Sequence, residues 1–284
     1  MTSKKHGKRD RRIDAGPFRS TGHAAKAVRV LFFTLCVMWP GVAQSQTRCI
    51  GPPYSADTTE DQQRLAALYR HVAPALDRFP SLAEALRNTA PELCLARHMD
   101  SAHGYLALSP YRIVISRTLP HDMQVGVLLH EFRHLEQFAR GVCPSDDLAV
   151  GDYVSAVFAM EADASAISLL MAWDMKERGH PGAWQALSRW PLQADIARRF
   201  AAGMASTGDT AQAVSAAFAQ WYALPERRNR YYIAVCGDFL DRQDATHALP
   251  SYRAISGSFY TRLCRLPDGR PYSCIVPETD LRGD

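Results

Sequence analysis

The sequence predicts an α+β fold that is mainly helical, with one small β-sheet and additional C-terminal helices. Three observations predict it. Apolar residues recur three and four apart over 58–78 and again over 120–140, the period of a helix with one buried face. Between them, residues 104–117 are rich in β-branched and aromatic side chains and are punctuated by Ser109-Pro110, as paired strands are. From about Asp152 to 241 the pattern is helical again.

Taken in order, residues 46–56 read as an irregular lead-in, with Pro52 beside Pro53. Leu65, Leu68, Tyr69, Val72 and Leu76 line one face of a first helix. A shorter helix starts at Ser81, where Glu84 three residues on makes a capping box, and Pro91 closes it. Tyr105–Leu108 and Tyr111–Ser116 are the two strands. Pro120 suits the first position of the next helix, with Asp122 in its first turn and a stripe through Val125, Leu128, Leu129, Phe132 and Leu135. A linker through Gly141, Cys143, Pro144 and Ser145 leads to a long helix that Gly179 and Pro181 stop. Helices follow near 182–203, 209–223 and 226–241, one of them capped by Asp209. After 245 the chain reads as irregular, with a Pro267-Asp268-Gly269 turn between Cys264 and Cys274.

The 284 residues, 47% hydrophobic and 22% charged, describe a soluble globular chain long enough for a sizeable core. The net charge of +4 is concentrated at the front. Residues 1–45 hold nine Lys/Arg against two Asp, so the remainder carries 24 basic and 27 acidic residues, a balance of −3. That excludes a basic nucleic-acid-binding surface as the main feature of the chain. The front has the order of a secretory signal: Lys4 to Arg12 basic, Val30 to Trp39 apolar, then Pro40 and the small residues Gly41 to Ala43. Its apolar run of ten residues is half of the roughly twenty that a membrane span needs, so no stable span is expected once the signal is cleaved. The basic stretch is longer than a signal needs, which leaves open a downstream start or retention of the segment as an anchor. The resulting division is a signal over 1–45, a catalytic-type domain over 46–245 and a disulfide-linked tail over 246–284. Besides Cys36, six cysteines remain, an even number that predicts three disulfides in an exported protein. Cys264–Cys274 is the one pairing the spacing favours, because a turn with nine residues between the cysteines can close without strain.

The chemistry centres on His130-Glu131-Phe132-Arg133-His134. On a helix, residues four apart lie on one face, so both imidazoles can converge on one cation while Glu131 stands beside it as a base for water. Glu161 follows 27 residues after His134 on the next helix and completes a set of three ligands with the fourth position left to water, the pattern of catalytic zinc. Ala162, Ala164, Ser165 and Ser168 are small enough to let the two helices approach closely. Asp163 is a candidate to orient one imidazole. Arg133 either faces solvent or pairs with Glu136, and Arg227, Arg228 and Arg230 read as a solvated basic face. Trp184, Trp190 and Trp221 read as core. Tyr153, His180, Tyr231 and Tyr232 are unranked candidates for stabilising a developing oxyanion. There is no phosphate loop and no nucleophilic serine elbow.

With Glu161-Ala162-Asp163-Ala164 after it, this motif resembles the gluzincin branch of zinc metallopeptidases, and in particular metallopeptidase-like proteins with an HExRH helix and a Glu-Ala-Asp-Ala helix. The stretch from Glu161 to Met171 is also similar to the second helix of compact ImmA/IrrE-type proteins. The resemblance covers residues 104–171. It implies a minimal zincin-like core, one zinc ion on His130, His134 and Glu161, and Glu131 as general base. Ser165 departs from it, standing where the fuller pattern has an acidic residue four after the ligand glutamate. The function expected is hydrolysis of peptide bonds in a peptide or protein substrate, in the periplasm or outside the cell, with the strand Tyr111–Ser116 able to pair with an extended peptide. The alternatives are an inactive zinc-stabilised scaffold of the cell envelope and a disulfide-held envelope structural protein. No oligomeric state follows from the residues. The expected mature chain lacks roughly the first 43–45 residues, as N-terminal sequencing of protein recovered outside the cytoplasm checks; an intact cytoplasmic chain is the contrary result.

Overall fold

The stripe from Val125 to Leu135 forms a helix whose apolar face is buried in the main core. The computed structural model describes residues 48–55, 59–99, 102–247 and 249–277. The signal read over 1–45, with its cleavage near Ala43 to Ser45, lies outside the described residues. In chain order the elements are β1 (Arg48–Ile50), α1 (Glu60–Leu76), α2 (Pro80–Thr89), β2 (Glu92–Ala96), β3 (Gly104–Leu108), β4 (Tyr111–Ser116), α3 (His121–Ala139), α4 (Val150–Glu177), α5 (Gly182–Arg189), α6 (Ala194–Thr207), α7 (Thr210–Trp221), α8 (Pro225–Ala245) and α9 (Gly257–Leu263). The fold is α+β and mainly helical, with one four-stranded sheet.

The strand order is β1-β2-β4-β3, with β2 parallel to β4 and both outer pairs antiparallel. Side chains alternate across the sheet. Leu93, Leu95, Ile113 and Ile115 enter the main core, while Cys94, Ala96 and Val114 form a small cluster on the opposite face. Cys49 lies directly opposite Cys94 and is bonded to it. Strands β1 and β2 are absent from the sequence reading, since three and five residues are too few to show a period.

Several local expectations are corrected. Ser81 does not begin a capping box: α2 starts at Pro80, whose missing N–H and fixed φ suit a first helical position, and no side chain caps it. The capping box stands instead on α1, between Thr59 and Gln62. The helix read over 182–203 is two, α5 and α6, interrupted around Pro191. Asp209 caps α7 by accepting from the backbone of Ala211 and Gln212, and Gly179 takes a φ of +88° where α4 stops. Among the described residues, α4 is the helix long and apolar enough to span a membrane, but most of it is buried against its neighbours. The chain after 245 is not wholly irregular. It contains α9, and Phe259, Leu263, Leu266 and Tyr272 join the main core. Cys264 and Cys274 are bonded, whereas Cys143, exposed on the α3–α4 loop, and Cys236, half-buried on α8, are free. The three disulfides expected are therefore two, because these last two cysteines are held on separate elements.

Three histidines meet where α1, α3 and the α4–α5 turn come together. His71 stands edge-to-face with His121 at 5.5 Å and with His180 at 5.4 Å between centroids. Burial first, then the charges of His121 and His180, hold His71 below its ordinary range, with Asp122 pulling the other way. The folded protein thus binds this proton less readily than the unfolded chain. The stability that neutral His71 confers is complete above the unfolded value of about 6.5 and is lost as pH falls below it. In His71→Gln the melting temperature should fall less between pH 7.5 and 5.5 than in wild type; identical profiles would count against this coupling.

Candidate metal centre

Two turns into α3, His130 and His134 bring their Nε2 atoms to 3.0 Å from each other. Close packing of α3 on α4, where Ala162 and Ala164 are fully buried, brings Glu161 across from near the middle of α4. Its Oε1 lies 3.2 Å from His134 Nε2 and its Oε2 lies 3.4 Å from His130 Nε2. Bonds of about 2.0–2.1 Å in a tetrahedral shell put neighbouring donors about 3.3 Å apart. The two imidazole nitrogens and the two carboxylate oxygens that face them lie near that spacing, and the three residues form a group able to hold a metal ion. The other such group among the described residues, Cys49, Glu92 and Cys94, is taken up by the disulfide.

The electrostatics express the same crowding. Burial disfavours a charged His134, but the Glu161 carboxylate outweighs it and raises the imidazole to about 9. Burial likewise opposes a charged Glu161, yet the two histidines together hold it below the usual carboxylate range. A metal ion competes with protons for these lone pairs, so uptake of the ion displaces them. Glu131 is buried next to the three, and burial raises its carboxyl against the pull of His134 and His130.

What holds these groups differs in part from expectation. Asp163 touches neither imidazole. Instead Gln137, three residues after His134, accepts from His134 Nδ1 at 2.8 Å and donates to Asp163 at 2.6 Å. Arg133 is fully buried; it pairs with Glu136 and grips Asp163 through Nε at 2.6 Å and Nη2 at 2.8 Å. Gln137 escaped the sequence reading, although its place on the histidine face of α3 was the available signal. Arg227 and Arg228 are not a solvated face but buried, and Arg227 donates to the carbonyls of Leu192 and Trp221 and pairs with Asp195.

A cleft of about 840 Å³ runs over the site. His130, Glu131, His134 and Glu161 line it, together with Tyr105, Leu106, Val127, Val157, Leu187 and Trp190, and α8 contributes Arg230, Tyr231 and Arg242. Trp190 and Trp221 thus border the cleft, although Trp221 is also a buried core residue. The strand beside the cleft is β3, not β4. Strand β4 is bonded to β2 on one side and β3 on the other, so it has no free edge to offer a peptide. Of the four oxyanion candidates, Tyr231 stands by the metal group: after burial, Glu161 and then Glu131 raise its phenol well above the ordinary range. Tyr153 accepts from Arg242, and His180 belongs to the histidine cluster.

A His-x-x-x-His pair on one helix and a glutamate on the next, beside a cleft, form a group that could hold a metal ion. The chain belongs to the Putative metallopeptidase family (DUF6782), which matches residues 43–274. No match is found among curated proteins or among solved structures.

Gly104 sets how closely β3 approaches the site. A Cβ there would stand 2.5 Å from Val127 Cγ1, 3.1 Å from the Val114 carbonyl and 3.2 Å from Glu131 Oε1. Val127 is stiff at χ1 and has little room to yield. Gly104→Ala should cost about 1–3 kcal/mol, the range for overpacking. Urea unfolding measures it, and wild-type stability would contradict this contact.

Proposed function

We propose that this chain is an exported zinc metallopeptidase of the gluzincin type, hydrolysing peptide bonds in a peptide or protein substrate. One observation carries the reading: His130, His134 and Glu161 converge at one point, with Glu131 buried next to them, in a cleft bordered by the sheet edge. Two imidazoles and a carboxylate suit zinc and leave a coordination position for water. Zinc held there would supply a Lewis acid that acidifies water and polarises a carbonyl oxygen. Glu131 takes the proton from the attacking water and passes it to the leaving amine. Its raised carboxyl supports that part, because a poised base must also give the proton up. Tyr231 donates to the oxygen on which negative charge develops. Strand β3, with a free edge along the cleft, aligns an extended peptide by main-chain hydrogen bonds. Ser165, where the gluzincin pattern has an acidic residue, lines the cleft without adding a charge. Two disulfides fit an oxidising compartment and support export. An inactive scaffold has no use for a carboxyl held against its solvation preference at Glu131, which is why catalysis is the preferred reading.

The test combines metal analysis with kinetics on a broad peptide mixture. Wild type should bind about one zinc per chain. Glu131→Gln should keep the zinc and lose about 10²–10⁴ in kcat. Tyr231→Phe should keep the zinc and lose about 10². A Glu131→Gln variant that cleaves as fast as wild type would falsify the mechanism, and wild type that takes up no zinc would end the reading altogether.

A further inference from the structure

Gln137 has a particular orientation forced on it. Its amide nitrogen donates to the Asp163 carboxylate at 2.6 Å and to the Met160 carbonyl at 3.0 Å. Neither partner can donate, so the amide cannot be turned round. Its oxygen is left facing His134 Nδ1 at 2.8 Å, where it accepts only if that nitrogen carries a proton. A proton on Nδ1 leaves the lone pair of neutral His134 on Nε2, the atom that faces His130 and Glu161. An amide is needed here because it accepts at one end and donates at the other. A carboxylate in its place would confront Asp163 with like charge.

Asp163 is held in turn from behind. It receives Arg133 at 2.6 and 2.8 Å and the Tyr272 hydroxyl at 2.5 Å. Arg133 also donates to the carbonyls of Leu263 and Arg265 at 3.1 and 2.8 Å. Tyr272 and Arg265 lie within one loop, which the Cys264–Cys274 disulfide closes and which Leu266 and Tyr272 anchor in the core. The route from this loop to His134 is buried throughout.

We propose that the disulfide-closed loop 264–274 is a positioning element for the metal ligand His134. Through Tyr272, Asp163 and Gln137 it fixes the imidazole in the tautomer that presents Nε2 to a cation. The proposal rests on the reading above that this site holds zinc, and assigns the C-terminal loop a part in that site although it contributes no ligand. Metal affinity then depends on a hydroxyl and a disulfide remote from the metal.

The experiment is zinc affinity by chelator competition, together with the visible spectrum of the cobalt-substituted protein and the melting temperature of metal-free protein. Gln137→Leu should bind zinc about 10–100-fold more weakly than wild type. Tyr272→Phe, and Cys264→Ser combined with Cys274→Ser, should each lose about tenfold, with an altered cobalt spectrum. Tyr272→Phe removes a single hydroxyl and carries the test if Gln137→Leu does not fold. Cys49→Ser combined with Cys94→Ser, in the other disulfide, should lower the melting temperature and leave affinity and spectrum unchanged. Variants that bind zinc as tightly as wild type overturn this proposal alone. So does a loss of affinity that the Cys49/Cys94 variant shares, which makes the loop merely structural. Wild type that binds no zinc overturns the proposed function and this inference with it.

Discussion

The structure depends on one buried guanidinium. Arg133 has no solvent-exposed surface, so its charge must be neutralised where it stands. Glu136 does so from its own helix and Asp163 from α4, and the main-chain carbonyls of Leu263 and Arg265 accept from Nη2. Such a group leaves little choice in how α3 and α4 are set, since removing one partner of a buried pair typically costs about 3–5 kcal/mol. Asp163 is two residues from Glu161, so the register that satisfies Arg133 also brings Glu161 to the histidines.

The same constraint explains why the α3–α4 contact is polar where an apolar one would be expected. His130, Arg133, His134 and Gln137 follow the spacing by which a helix presents one face to a neighbour. Arg133, Gln137 and Asp163 are fully or almost fully buried, and each is hydrogen-bonded to the others or to main chain. A network satisfied in this way is rigid, and it holds the two imidazoles and the Glu161 carboxylate about 3 Å apart. The hydrophobic stabilisation lies on the opposite side of α3, where Val125, Leu128, Leu129 and Phe132 pack in the main core. Apolar packing and site thus use different faces of one helix.

The cleft has unlike walls. On one side, β3 offers a straight main-chain edge with Tyr105 and Leu108 partly in solvent. On the other, α8 carries Arg230, Tyr231 and Arg242 over the site, with Ile233 and Leu240 exposed on its outer surface. A regular edge suits recognition of backbone, which every peptide shares.

Some of this was legible in the residues alone. Helical period and turn chemistry marked α1, α3, α4 and the β3–β4 hairpin, because an amphipathic element writes its own burial pattern. The convergence of His130 and His134 was legible because two histidines four apart share a helix face whatever the rest of the chain does. Strands β1 and β2 were too short to show a period, and the burial of Arg133, Arg227 and Arg228 ran against what composition suggests for charged residues. The choice of β3 over β4 as the free edge and the place of Tyr231 beside Glu161 depended on long-range packing, whereas Gln137, three residues after His134, was within local reach. What the sequence by itself determined is the local geometry of α3 and the chemical character of its motif, since i to i+4 spacing is fixed by the helix. Which distant side chains close the site was decided only by tertiary structure, because contacts between residues 30 to 130 positions apart are set by how buried charges find partners, and no local period records that.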